Sequence, residues 1–231
     1  MHKTTVRRLT LCAFFAMLAV FGAAFNGCVG TPPNVATLEF ASQDIENGEL
    51  PIRKDGSALV GVIARGPDGR EVEIGAGEFT WSSSDPASVE VKALGTAALI
   101  TGKIDWFDSV PEGGDPAAAF EPHAVLTVTY HAGRDDEVSA SIPVAVVLNA
   151  AGTWRASIAG LGDQVLTLDQ RGRRVSYGGT AGDASGAISG DQFTLSQQGF
   201  MLTGTFTSRT EVNGTYSGPG GVSGTWTAVR E

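Results

Sequence analysis

Cysteine is almost absent from this chain of 231 residues: only Cys12 and Cys28 occur, and Cys12 lies inside an apolar opening segment. If that segment is removed one thiol remains, which excludes an internal disulfide and any metal site built from several thiolates. Histidine is equally scarce. His2 sits in the opening segment, and His123 and His131 flank one strand-like run, which sets them ~26 Å apart, too far to share a metal. The sequence holds no Gly-x-Ser-x-Gly elbow, phosphate loop or zincin helix, and nothing selects one pair of carboxylates for acid–base work. The expectation is a non-enzyme with no catalytic residue, no cofactor and no bound metal. Positive charge is also in short supply. The formal net charge is −9, and it falls to −12 if Lys3, Arg7 and Arg8 are lost with the opening segment. A nucleic-acid partner, which needs a basic footprint, is thereby excluded. Long amphipathic runs are few, whereas Gly, Thr, Ser and Val abound, so packed β-structure must supply the stability.

The opening segment reads as an export signal. Residues 1–8 carry three positive charges and residues 9–25 form an apolar or small run interrupted only by Thr10. That run is shorter than the ~20 residues of a comfortable membrane span, which favours export and cleavage. Phe25-Asn26-Gly27-Cys28 follows. It resembles a bacterial lipoprotein signal, in which a small residue precedes the cysteine that is acylated and becomes the mature N-terminus. Phe25 stands where such signals usually carry Leu, and Asn26 where Ala or Ser is usual. The resemblance implies loss of residues 1–27, attachment of palmitate or a similar acyl chain at Cys28, and a membrane as partner. An ordinary cleaved signal with a free Cys28, or an uncleaved anchor, are the alternatives. Val29 rather than Asp after the cysteine implies, under enteric-type sorting, the outer membrane of the cell envelope. Residues 28–34, with Pro32-Pro33, form a spacer.

Residues 35–148 show short strand signals with turns between them, at 35–40, 58–65, 70–74, 78–82, 88–92, 97–101, 124–130 and 138–147. Such spacing predicts an antiparallel β-sandwich. The motif Phe79-Thr-Trp81-Ser-Ser-Ser-Asp85-Pro-Ala-Ser-Val89, with Gly95-Thr-Ala-Ala-Leu-Ile-Thr101 after it, resembles group 2 bacterial immunoglobulin-like domains. The resemblance implies an immunoglobulin-like sandwich with Trp81 in its core. One stretch departs from that family: residues 105–122 are longer than its usual tight turn, and long loops in compact domains often carry function. Asp105, Trp106, Phe107 and Asp108 are therefore a candidate binding loop for a protein or carbohydrate partner, aromatic residues being enriched at binding hot spots. The alternative is that they cover one end of the sandwich. The same loop, and Asp135-Asp136-Glu137, offer carboxylates to calcium. No EF-hand pattern organises them, and such a run reads first as a solvated turn.

From Asn149 onward the composition changes. Residues 149–231 contain no Lys, and a ten-residue repeat appears: Leu202-Thr-Gly-Thr-Phe206-Thr, Val212-Asn-Gly-Thr-Tyr216-Ser and Val222-Ser-Gly-Thr-Trp226-Thr. Each unit alternates, which puts Leu202, Gly204, Phe206 and their counterparts on one face, with Thr, Asn and Ser on the other. Six residues of strand and four of turn describe one arm of an up-and-down meander. Further strand signals at 153–158, 164–170, 174–177, 187–189 and 192–196 bring the count to about eight, enough for a small closed barrel with no exposed edge. Gly152-Thr-Trp154 and Arg230 resemble the first strand and closing arginine of lipocalin-like barrels. That resemblance implies closure by a contact between Trp154 and Arg230, a cation–π pair of ~0.5–2 kcal/mol. Trp154, Tyr177, Phe193, Phe206, Tyr216 and Trp226 either line a pocket or fill the core, and a domain this small needs them as core.

Acidity is unevenly placed: residues 35–148 carry nineteen acidic and seven basic side chains, residues 149–231 six of each. The expected protein is all-β, an exported lipid-anchored envelope module for adhesion, scaffolding or ligand presentation. The alternative is a barrel that binds a small or carbohydrate ligand on a sandwich stalk.

Overall fold

The computed structural model describes residues 34–75, 79–108, 124–131, 137–179 and 182–231. Cys28 and the spacer before Asn34 lie outside the described residues, as do positions 109–123 of the long loop and Asp135 and Asp136. Pro32–Glu231 forms one compact unit with two hydrophobic cores.

The first core lies between two sheets. Strands β1 (Thr37–Ala41), β3 (Ser57–Arg65), β7 (Ala97–Gly102) and β6 (Val89–Ala93) pair in that order, with β4 (Glu71–Val72) on β3. The second sheet orders β2 (Leu50–Arg53), β9 (Glu137–Val147), β8 (Ala124–His131) and β5 (Phe79–Ser83). Leaving β2 and β4 aside and lettering the rest in chain order gives A-B-E-D against C-F-G, the strand order of a constant-type immunoglobulin sandwich. Alternation explains the core. Along β3, Ala58, Val60 and Ala64 are buried, and on β8 Ala124, Leu126, Val128 and Tyr130 meet them; each fully buried Val, Leu or Ile stabilises by roughly 1.5–3 kcal/mol. Trp81 is 9% exposed and donates its indole N–H to Gly95 O at 2.9 Å. The Ser-Asp-Pro segment after it turns because Asp85 Oδ1 accepts from the amides of Ala87 and Ser88 at 3.1 and 3.3 Å.

Two expectations need correction here. The returning strand predicted over 70–74 shrinks to the two residues of β4. Strand β2, Leu50-Pro51-Ile52-Arg53, is absent from the strand signals of the sequence and carries a proline. It is tolerated because β2 is an edge strand, paired in parallel with β9 alone, so the missing amide costs no ladder bond on its open side.

The second core fills a closed barrel of eight antiparallel strands in chain order. These are β10 (Gly152–Ile158), β11 (Gly162–Arg171), β12 (Arg174–Gly179), β13 (Gly182–Ser189), β14 (Gln192–Gln197), β15 (Phe200–Ser208), β16 (Glu211–Ser217) and β17 (Ser223–Arg230). Strand β13 is longer than its sequence signal, and β17 closes on β10 with Trp154 opposite Arg230. In the repeat, Phe206, Val212, Tyr216 and Trp226 point inward as the alternation requires. Val222 does not. It is 46% exposed, because the turn Pro219–Gly221 delays the strand to Ser223. The glycines of the repeat make room for neighbouring aromatics: a Cβ on Gly204 would meet Trp226 at 2.7 Å, and one on Gly224 would meet Tyr216 at 2.8 Å.

Candidate functional site

The barrel has two ends, set by its hairpins. At the base are the turns after β11, β13 and β15, together with the connection from β9. At the far end are the turns after β10, β14 and β16.

The base is where the structure places the residues singled out in the sequence. Trp106 opens the 3-10 turn Trp106–Asp108; it is 1% exposed and belongs to the barrel core, not to the sandwich from whose loop it comes. Its indole faces this chain instead of solvent. Phe107 packs edge-on against it, with centroids 5.1 Å apart. The turn is held reciprocally, the Phe107 amide donating to Asp105 Oδ1 and the Asp105 amide to Asp108 Oδ2, both at 3.0 Å. Those two carboxylates receive Arg209 from the β15–β16 turn, with Nε 3.7 Å from Asp105 Oδ1 and Nη2 on Asp108.

Opposite this contact lies a second. Asp44, Glu46 and Glu49, between β1 and β2, pair with Arg171, Arg174 and Arg173 respectively, Arg174 Nε lying 3.2 Å from Glu46 Oε1. Hydrogen bonding to Asp44 holds the Arg171 guanidinium above its ordinary range. Between Arg171 and Arg173, Gly172 has φ +57°, and a Cβ there would come within 3.0 Å of Pro51 Cγ, so the turn needs glycine for both conformation and contact. The connection itself is packed. Leu148 and Ala150 are buried, and Gln170 clamps them, donating to Leu148 O at 2.8 Å and accepting from the Ala150 amide at 2.7 Å.

The closing pair is at the same end. Arg230 Cζ lies 4.7 Å from the Trp154 ring centroid, its Nη2 donates to Asn149 O, and Trp154 Nε1 donates to Ala150 O at 2.9 Å. Burial pushes the Arg230 guanidinium below its ordinary range, against the opposing pull of Asp105. Its Nε has no hydrogen-bond partner among the described residues. Asp105, Trp106, Phe107 and Asp108 thus share one end of the barrel with Trp154 and Arg230, two groups that the sequence kept apart.

Above the base the barrel is full. Trp154, Phe193, Phe206 and Trp226 pack in tilted or edge-on pairs with centroids 5.6–6.0 Å apart, and the residual cavity among them is about 10 Å³, about the space of a single water. Tyr177, expected among these aromatics, lies higher and is only half-buried.

Among the described residues the far end is open. Ile158, Leu166, Tyr177, Leu195, Leu202 and Tyr216, inward-facing residues of six strands, line a cavity of about 320 Å³ with Leu161, Phe200, Gln164 and Gln197 at its edge. None of these side chains is charged. Of the six aromatics that the sequence offers as pocket lining or core, Tyr177 and Tyr216 line this mouth; Leu166 and Leu195, turned inward by the same alternation, are not singled out by the sequence. Among the described residues, no group of three or more His, Cys, Asp or Glu is placed to hold a metal.

No protein-family model matches the chain, and no curated protein matches it in sequence. Solved structures similar to the chain include two from one protein. Domains 5–6 of the S-layer protein SbsC are 9% identical over 86% of this chain and 85% of that one, with a TM-score of 0.35. Domains 4 and 5 of the same protein are 16% identical over 85% and 87%, with a TM-score of 0.32. Scores this low describe partial superposition and assign neither a family nor a function.

Proposed function

We propose that this chain is an exported, lipid-anchored, non-catalytic module of the cell envelope, in which an immunoglobulin-like sandwich serves as a rigid stalk and the barrel as the part it presents. The observation that carries the reading is the joint. The sandwich commits Trp106, Phe107 and five carboxylates to the barrel base, which leaves the barrel's far end as the presented face. The leader and Gly27-Cys28 supply the address, with Cys28 as the lipidated residue and the outer membrane as its destination. The group 2 immunoglobulin-like resemblance of residues 79–101 suits a stalk, because Trp81 and the Asp85 turn serve its core and not a ligand.

The anchor is tested by metabolic labelling with a fatty-acid analogue in a bacterial host. Parent protein should be labelled and found in the membrane fraction, while Cys28→Ala should lose the label and leave that fraction. Equal labelling of both would refute lipidation at Cys28.

A further inference from the structure

We propose that the far mouth of the barrel binds one small, uncharged, mostly apolar molecule. This goes beyond the display reading and does not depend on the anchor, so the two can fail separately. The volume of about 320 Å³ lies at the lower end of the roughly 300–1,000 Å³ of pockets that take small organic ligands. The floor is set by the filled aromatic layer beneath, so a ligand cannot thread down the axis. A compact molecule or short alkyl group fits; a long chain does not.

The lining also decides the chemistry. Leu166, Leu195 and Leu202 supply apolar walls, and Gln164 and Gln197 are the amides at the edge. The Tyr216 hydroxyl is committed within the chain, donating to Ala159 O at 2.6 Å. With no guanidinium or carboxylate among the described residues of the lining, an ionised head group would lose its hydration without gaining a counter-charge. Amide side chains at the rim instead suit a hydroxyl, ether or carbonyl. The contrast with the base is direct, since five of the barrel's six arginines lie there: Arg171, Arg173, Arg174, Arg209 and Arg230.

The test is photolabelling of the full-length protein with octanol carrying a diazirine, followed by peptide mapping. Labels should concentrate on the peptides around 158–166 and 195–202 and be displaced by unlabelled octanol, and octanoate with the same diazirine should label them far less. Leu161→Glu alters a rim residue that is 48% exposed and should cut the labelling about tenfold, since it sets a carboxylate beside the ligand. Met201→Glu on the outer face should leave labelling unchanged, Met201 being 50% exposed. Labelling spread over the surface, equal labelling by octanoate, or indifference to Leu161→Glu would each overturn the proposal.

Discussion

At its base the barrel meets five carboxylates and an indole from the sandwich; at its far mouth uncharged inward-facing side chains surround a cavity, with Asp163 of β11 and Asp183 of β13 exposed outside it. Both ends follow from one period-two alternation. What separates them is the turns. Those at the base carry Arg171, Arg173, Arg174 and Arg209, and the described far turns carry Leu161, Gln198 and Gly199 in their place. The comparison teaches that the arginines at the barrel base are used to join the two halves. Five of the nineteen acidic residues of 35–148 face the barrel's own arginines at the joint, and the cavity with the uncharged lining lies at the other end.

The comparison breaks most severely at Trp106. Trp106→Ala should cost about 3–5 kcal/mol in denaturant unfolding, the range for removing a large buried aromatic, and it should open the base as a second cavity. Arg173→Ala comes next. Arg173 and Glu49 are each about a quarter exposed, and leaving the carboxylate half-buried without its partner should cost about 1–3 kcal/mol, read from the shift of the urea midpoint. The smallest effect is expected at Arg171, whose side chain is 62% exposed. Arg171→Ala should cost less than about 1 kcal/mol, and that difference should shrink further in high salt. If Arg171 proved costlier than Trp106, the joint would be electrostatic and the indole incidental.

Much of the fold was legible in the sequence, for physical reasons that differ between the halves. The repeat of Gly-Thr-aromatic units dictated inward Phe206, Tyr216 and Trp226, because a meander leaves alternation little freedom. Strand β2 was hidden by Pro51, whose tolerance depends on an edge position that only the assembled sheet defines. Trp106 was legible as an aromatic in an unusual loop, but its destination was not. A side chain that leaves one core to enter another follows no local period, and the cue was instead the surplus of acid before Leu148 beside the run Arg171-Gly172-Arg173-Arg174. The far mouth was half legible: Tyr177 and Tyr216 line it together with leucines, but alternation sets only which residues face inward and not which of them fall above the filled aromatic layer.

The central claim is that the joint makes sandwich and barrel one cooperative unit. Native-state hydrogen exchange in rising urea tests it most directly, by following the amide of Val128 on β8 in the sandwich and that of Phe206 on β15 in the barrel. The account predicts that both exchange through one global opening with the same free energy and urea dependence, and that Trp106→Ala separates them. Two different opening energies in the parent protein, unaltered by Trp106→Ala, would contradict it.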